Sequence, residues 1–217
     1  MEKVKITDTM LFRGMSEKEI EACFAALNAK EKTYRKGAGI LHAGSTTETM
    51  GLVLSGSVTI ESNDVWGNRT ILSNVGPGQV FAETYALMEN QPLLVDVTAN
   101  EDNRILMLQV GNLRKLSHLP AWAVKFHGNL LTITAHKNLV LSERCFHVSP
   151  RTIRERLLSY LNAVALQTGS KQFEIPFDRQ QLADYLNVDR SALSKELGAM
   201  KREGLINTRK SQFTLLV

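Results

Sequence analysis

Between Asp178 and Gly204 the chain carries two short amphipathic helical patterns separated by three residues, and few folds accept such a pair. Asp178 is a good N-cap, and Leu182, Ala183 and Leu186 line one face of the first pattern. Asn187-Val188-Asp189 is the turn, with Asp189 placed to cap the second pattern, whose apolar face is Leu193, Leu197 and Met200. Ala183 is small where two helices must cross closely, and Val188 plugs the gap at the turn. The spacing predicts a helix-turn-helix. Gly204–Leu215 then reads as a hairpin turning near Arg209-Lys210, a basic wing beside the helix pair.

The second helix leaves Arg190, Ser191, Ser194, Lys195, Lys201 and Arg202 outside its apolar face. In such a pair, residues near the N-terminus of the second helix meet base edges in a major groove. Arg190 and Lys195 can donate to guanine O6/N7 or to phosphate, and Ser191 and Ser194 are short donors that permit close approach. The plainer alternative is a small helical packing unit with a solvated charged face. Charge placement favours the first reading. Residues 1–142 hold fourteen Lys and Arg against fourteen Asp and Glu, whereas residues 143–217 hold twelve against eight, so the whole net charge of +4 lies in the last third.

Upstream the texture is different. Ser16 and Glu19 form a capping-box pattern before Ile20, Phe24 and Leu27. From Glu31 the chain breaks into short stretches at Glu31–Arg35, Gly39–His42, Met50–Leu54, Ser57–Glu61, Arg69–Asn74, Gln79–Ala82, Leu93–Asn100 and Ile105–Gln109. Corners such as Lys36-Gly37, Ser55-Gly56, Asn63-Asp64, Trp66-Gly67-Asn68 and Gly76-Pro77-Gly78 separate them. Short strands with glycine at the corners predict a sandwich, barrel or jelly roll. Pro120 then opens a long helix in which Phe126, Leu130, Ile133 and Val140 fit an a/d seam interrupted by Lys137. That face is either a dimer seam or a surface packed on the β unit. Cys145–Ser149 reads as a connector, with Ser149 capping the next helix and Gly169 ending it.

Several chemistries are excluded at this level. Cys23 and Cys145 are too few for a disulfide scaffold or a four-thiolate cluster. His118, His127 and His136 recur every nine residues, so they share no helix face and read as ordinary side chains, like His42 and His147. The N-terminus has no apolar signal-peptide core, and no segment is long and apolar enough for a membrane span. No cofactor, no metal and no membrane partner are expected, and a cytoplasmic location follows.

With these residues in view the chain resembles the CRP/FNR family of bacterial transcription regulators. The resemblance covers nearly the whole length, through Lys36-Gly37…Ile40…Gly44, Leu54-Ser-Gly56-Ser-Val58, Gly78-Gln-Val-Phe-Ala-Glu83 and Glu203-Gly204-Leu205-Ile206. It implies an α+β fold: an N-terminal double-stranded β-helix (a jelly roll like a cyclic-nucleotide-binding domain), a long dimerisation helix and a C-terminal winged helix-turn-helix. The expected limits are 1–118, 119–143 and 144–217. Carried over, Arg190, Ser191 and Lys195, with Ser194 beside them, fall where relatives read bases, and Arg179 and Gln180 where backbone contacts are made. The implied partners are double-stranded DNA, a second copy of the chain, an unidentified small-molecule effector and, as a candidate, RNA polymerase. No enzymatic activity is expected.

The chain departs from the family's cyclic-nucleotide binders in the β-roll. Their Gly-Glu and Arg-Ser pairs hold ribose and phosphate. Here Ala82 precedes Glu83, Leu93-Leu94 replace Arg-Ser, and no Lys or Arg occurs between Arg69 and Arg104. A buried phosphate without a cation is costly, so cyclic AMP is not expected to bind. Lys137-Asn138 stand where cyclic-AMP binders carry Thr-Ser. Glu83 reads first as a structural carboxylate. Glu83, Leu93 and Leu94 remain the candidate lining for any other effector. Competing readings are a cyclic-nucleotide module whose basic end docks a protein, and a cupin-like enzyme, for which the roll supplies only His42.

Overall fold

Reverse turns that need a left-handed backbone set the course of the first half of the chain. The computed structural model describes residues 4–63, 69–116 and 118–216, and divides into two compact units, Met1–Ala135 and His136–Val217. The expected corner residues Asp64 and Trp66-Gly67-Asn68 lie outside the described residues.

In the first unit, two 3₁₀ turns (Ile6–Asp8, Met10–Phe12) and α1 (Glu17–Ala26) precede the strands. Ser16 and Glu19 close the capping box reciprocally, which satisfies two amides of the first turn. Eight strands follow: β1 (Lys30–Tyr34), β2 (Gly39–Leu41), β3 (Met50–Ser55), β4 (Val58–Asn63), β5 (Arg69–Val75), β6 (Val80–Phe81), β7 (Asp96–Ala99) and β8 (Asn103–Leu108). The helical turn α2 (Glu83–Leu87) lies between β6 and β7. The strands form two four-stranded antiparallel sheets, β1-β8-β3-β6 and β2-β7-β4-β5. Gly56 shows why the corners carry glycine: at φ 77° a side chain is strained, and a Cβ there would come within 2.6 Å of Asn103 Cβ. Val53, Val58, Val75, Phe81, Val97 and Ile105 fill the roll interior.

The expected strands all appear. Leu93–Asn100 is the one most altered, because regular pairing begins only at Asp96. Leu93 still bonds both ways to the neighbouring chain, its N–H to Ser45 O and its carbonyl to Gly44 N.

The long helix α3 is Ala121–Val148, and its sequence reading needs two corrections. First, Cys145–Ser149 is not a connector, since the helix runs to Val148. Ser149 Oγ donates back to Cys145 O at 2.6 Å. The next helix, α4 (Ile153–Thr168), is capped by Thr152, which has the Glu155 that a capping box requires three residues on. Second, Phe126 and Leu130 are not seam residues. They are buried with Trp122 and Ala123 in a core shared with Leu11, Phe12, Leu27, Leu52 and Leu108, and Ile133 packs against it. Val140 alone of the four is exposed. A different row faces out: Val124, Gly128, Leu131, Ala135, Leu139 and Phe146, with Ser142 half-buried between the last two, at steps of three and four, and with Leu131 70% and Phe146 72% exposed.

In the second unit, α4 is followed by β9 (Gln172–Glu174), α5 (Arg179–Leu186), α6 (Arg190–Arg202), β10 (Ile206–Arg209) and β11 (Gln212–Leu215). The strands make a three-stranded sheet in the order β10-β11-β9. Leu157, Leu161, Leu182, Ala183, Leu186, Leu193, Leu197, Met200 and Phe213 are in its core, and Val188 of the turn packs against it half-buried. The architecture is a jelly-roll-like domain, a long helix and a winged helix-turn-helix. Among the described residues no helix is long and apolar enough to cross a membrane, and no group of His, Cys, Asp or Glu gathers to hold a metal.

Candidate nucleic-acid interface

The interface is built from two caps and a turn. Asp178 Oδ1 accepts from Gln181 N at 2.8 Å while Asp178 N donates to Gln181 Oε1 at 2.8 Å, which fixes the start of α5. Asn187 takes the left-handed conformation (φ 53°) that asparagine tolerates better than most residues, and ends the helix. Asp189 then caps α6. Its carboxylate accepts from Ser191 Oγ and from Ala192 N at 2.9 Å, and these donors hold its pKa below the usual aspartate value. An ionised carboxylate at a helix N-terminus also favours the positive end of the helix dipole.

This frame turns Leu193, Leu197 and Met200 inward and leaves Arg190, Ser191, Ser194 and Lys195 exposed on one side of α6. A guanidinium, an ammonium and two hydroxyls thus stand within six residues at the N-terminal end of α6. The Ser191 hydroxyl donates its hydrogen bond to Asp189 Oδ1, so it offers lone pairs outward, where the sequence suggested a donor. Beside them lies a depression of about 820 Å³ whose lining includes Glu174, Asp178, Arg179, Gln180, Arg190 and Lys210. The wing turn supplies Lys210, in a left-handed conformation at φ 54°.

Arg179 and Gln180 sit differently from one another. Gln180 is exposed and donates to Asp184 Oδ1 at 2.9 Å. Arg179 is half-buried. It donates to Thr208 Oγ1 at 2.8 Å and lies over the Phe213 ring at 5.1 Å, so it ties α5 to both wing strands. Burial pulls its pKa below the ordinary arginine value.

Sequence reasoning missed three side chains, none of them on the exposed face of α6, that tie the helix pair to its neighbours. Arg154 on α4 donates to Glu196 Oε1 at 2.6 Å and to both Glu203 oxygens at 2.7 and 2.8 Å, gripping α6 in its middle and at its end. These carboxylates raise the arginine pKa, and Arg154 in turn lowers that of Glu203. Arg144 and Arg156 hold the far end of α5. Only the need of a short helix for carbonyl partners could have signalled them.

In the β-roll, Glu83 is buried in the first turn of α2, preceded by Ala82 in a left-handed conformation at φ 61°. Leu93 is 1% exposed, and Leu94 faces out at 70%.

The interface and the roll both have counterparts in known proteins. A cyclic nucleotide-binding domain model matches residues 31–118, and a Crp-like helix-turn-helix domain model matches residues 155–216. The transcriptional activator protein FnrL of Cereibacter sphaeroides is 22% identical over 184 residues, which cover 81% of this chain and 71% of that protein. The cyclic AMP receptor protein of Thermus thermophilus is 23% identical over 196 residues, covering 90% and 87%. Among solved structures, the c-di-GMP responsive global regulator CLP of Xanthomonas campestris superposes with a TM-score of 0.61 at 17% identity, over 93% of this chain and all of that one.

Proposed function

The chain belongs to the CRP/FNR family of transcription regulators, and we propose that it acts as a cytoplasmic homodimer that reads a near-palindromic DNA site. The observation that carries this reading is the exposed side of α6 from Arg190 to Lys195, basic, capped and free of the core. Two copies joined along α3 would set their α6 helices into successive major grooves about 34 Å apart. Arg190, Ser191, Ser194 and Lys195 are assigned to bases. Gln180 and the remaining donors of Arg179 are assigned to the DNA backbone. The outward row of Val124, Leu131, Leu139 and Phe146 is the assigned dimer seam.

The functional division proposed is 1–118 for the sensor, 119–143 for the dimer helix and 144–217 for DNA. The protein works by shifting the population of helix orientations, with RNA polymerase as the downstream partner, and not by catalysis. The roll does not take cyclic AMP, because Leu93 is buried where a phosphate would need a cation. If a small molecule is sensed there, it meets Glu83, Leu93 and Leu94. Gel shifts at several salt concentrations test the reading. Arg190→Ala with Lys195→Ala should cost about 1–3 kcal/mol for each base-reading side chain. Sequence-specific binding that survives the pair of substitutions overturns the assignment.

A further inference from the structure

The far end of α5 carries more hardware than an eight-residue helix needs to pack. Its carbonyls run out of partners at the turn, as those of any helix do. Ala183 O is served by the backbone N–H groups of Asn187 and Val188. Asp184 O also accepts from Asn187 N at 3.3 Å, and it and the next three carbonyls each take a bond from one of two arginines outside the helix pair. Arg144, in the last turns of α3, donates to Asp184 O and Tyr185 O, both at 3.2 Å. Arg156, on α4, donates to Leu186 O at 3.2 Å and Asn187 O at 3.1 Å, and its Nε reaches Pro150 O at 2.8 Å. Two cations at a helix C-terminus also suit its dipole.

One turn past Arg144, His147 is 7% exposed. Its Nδ1 lies 2.8 Å from the Tyr185 hydroxyl. The ring meets Tyr160 edge-on at 5.4 Å, and Phe177 stacks on Tyr185 from another side at 4.9 Å. Arg144 lies over the Tyr185 ring at 5.7 Å. None of these residues is on the exposed face of α6, and Leu182, Ala183 and Leu186 already bury the apolar side of α5. What they add is a joint between α5 and the end of α3.

The geometry points to Arg144 and His147 as positioning residues that lock the helix-turn-helix onto the last turns of α3 and thereby fix the spacing of the two half-sites, while Arg156 braces the same end of α5 from α4. The inference rests on the proposed homodimer. With two copies joined along α3, the angle between α3 and α5 decides how far apart the two α6 helices stand. Affinity for one half-site depends on α6 itself. Discrimination between spacings depends on the joint.

The test uses the full-length protein and DNA carrying two selected half-sites at the preferred spacing, at spacings one and two base pairs longer or shorter, or with one half-site scrambled. Arg144→Ala removes two charge-assisted bonds, Arg144→Lys keeps the charge without the fork, and His147→Phe keeps the ring without the hydrogen bond. Arg144→Ala should leave affinity for the single half-site within about twofold of the parent. Its preference for the native spacing should fall by roughly tenfold, the effect of about 1.4 kcal/mol. Arg144→Lys and His147→Phe should fall between. Should Arg144→Ala fail to fold, the other two decide. Folded variants that keep the parental spacing preference overturn the inference, as does half-site affinity that falls in step with it. A parent protein without any spacing preference overturns the homodimer reading as well.

Discussion

The β-roll and the helix-turn-helix treat charge in opposite ways. On α6 and the wing, Arg190, Lys195 and Lys210 stand in solvent, and Arg190 and Lys210 line an open depression. In the roll, Leu93 is sunk to 1% exposure, at the place proposed above for a phosphate in a nucleotide-binding roll. Both regions have well-formed frames, and the Ala82 turn holds a left-handed conformation that glycine would adopt without strain. The difference teaches that frame and ligand chemistry are separable. Packing maintains the roll whether or not anything binds in it, while the helix pair displays the groups that binding needs.

That contrast makes the largest expected effects structural on one side and associative on the other. Phe126→Ala, deep in the core beneath α3, should cost the first unit about 3–5 kcal/mol in denaturant unfolding. Leu139→Glu, on the outward row of the same helix, should leave protomer stability nearly unchanged and turn the proposed dimer into monomers in sedimentation. Equal effects of the two on folding would erase the distinction between the inner and outer faces. Leu93→Ala should cost about 2–5 kcal/mol if the side chain is a structural plug. Heat released on adding cyclic AMP to the parent protein would break the contrast from the other side.

Smaller effects sharpen it. Burial lowers the pKa of His147 from the ordinary 6.5, against a weaker upward pull from Glu143. Tyr160 and Tyr185 are the other ionisable groups its ring meets, and Arg144 lies over Tyr185. The folded protein therefore holds the neutral ring to lower pH than the unfolded chain, which binds the proton more readily. The stabilisation is complete above 6.5 and is lost as the pH falls below it. Urea unfolding of the parent, compared with His147→Phe between about pH 5 and 8, should show a difference that shrinks on the acid side, no larger than the ~1 kcal/mol of one hydrogen bond. Ala82→Gly should give the smallest change, a gain of less than about 1 kcal/mol from relief of the left-handed conformation.

Much of this was legible in the sequence because the signals were local. Asp178 and Asp189 announced their helices, Gly56 and its counterparts announced the corners, and Leu182, Ala183, Leu186, Leu193, Leu197 and Met200 announced the buried faces. The long helix was not legible in the same way. Phe126 and Leu130 have the spacing of a seam, but a face buried within one chain and a face buried between two chains leave the same period. Ser149 looked like a cap, and only the pairing of Thr152 with Glu155 decided otherwise. Arg179, Arg144, Arg156 and His147 act through partners distant in sequence, such as Thr208 and Tyr185. No spacing rule reaches that far.

The most direct measurement is selection of bound duplexes from a random DNA pool by the parent protein and by the variant carrying Arg190→Ala and Lys195→Ala. The parent should enrich two inverted half-sites with centres about 10 base pairs apart, and the variant should enrich none. A parent that enriches no sequence, or a variant that enriches the same one, contradicts the claim that this face of α6 reads DNA.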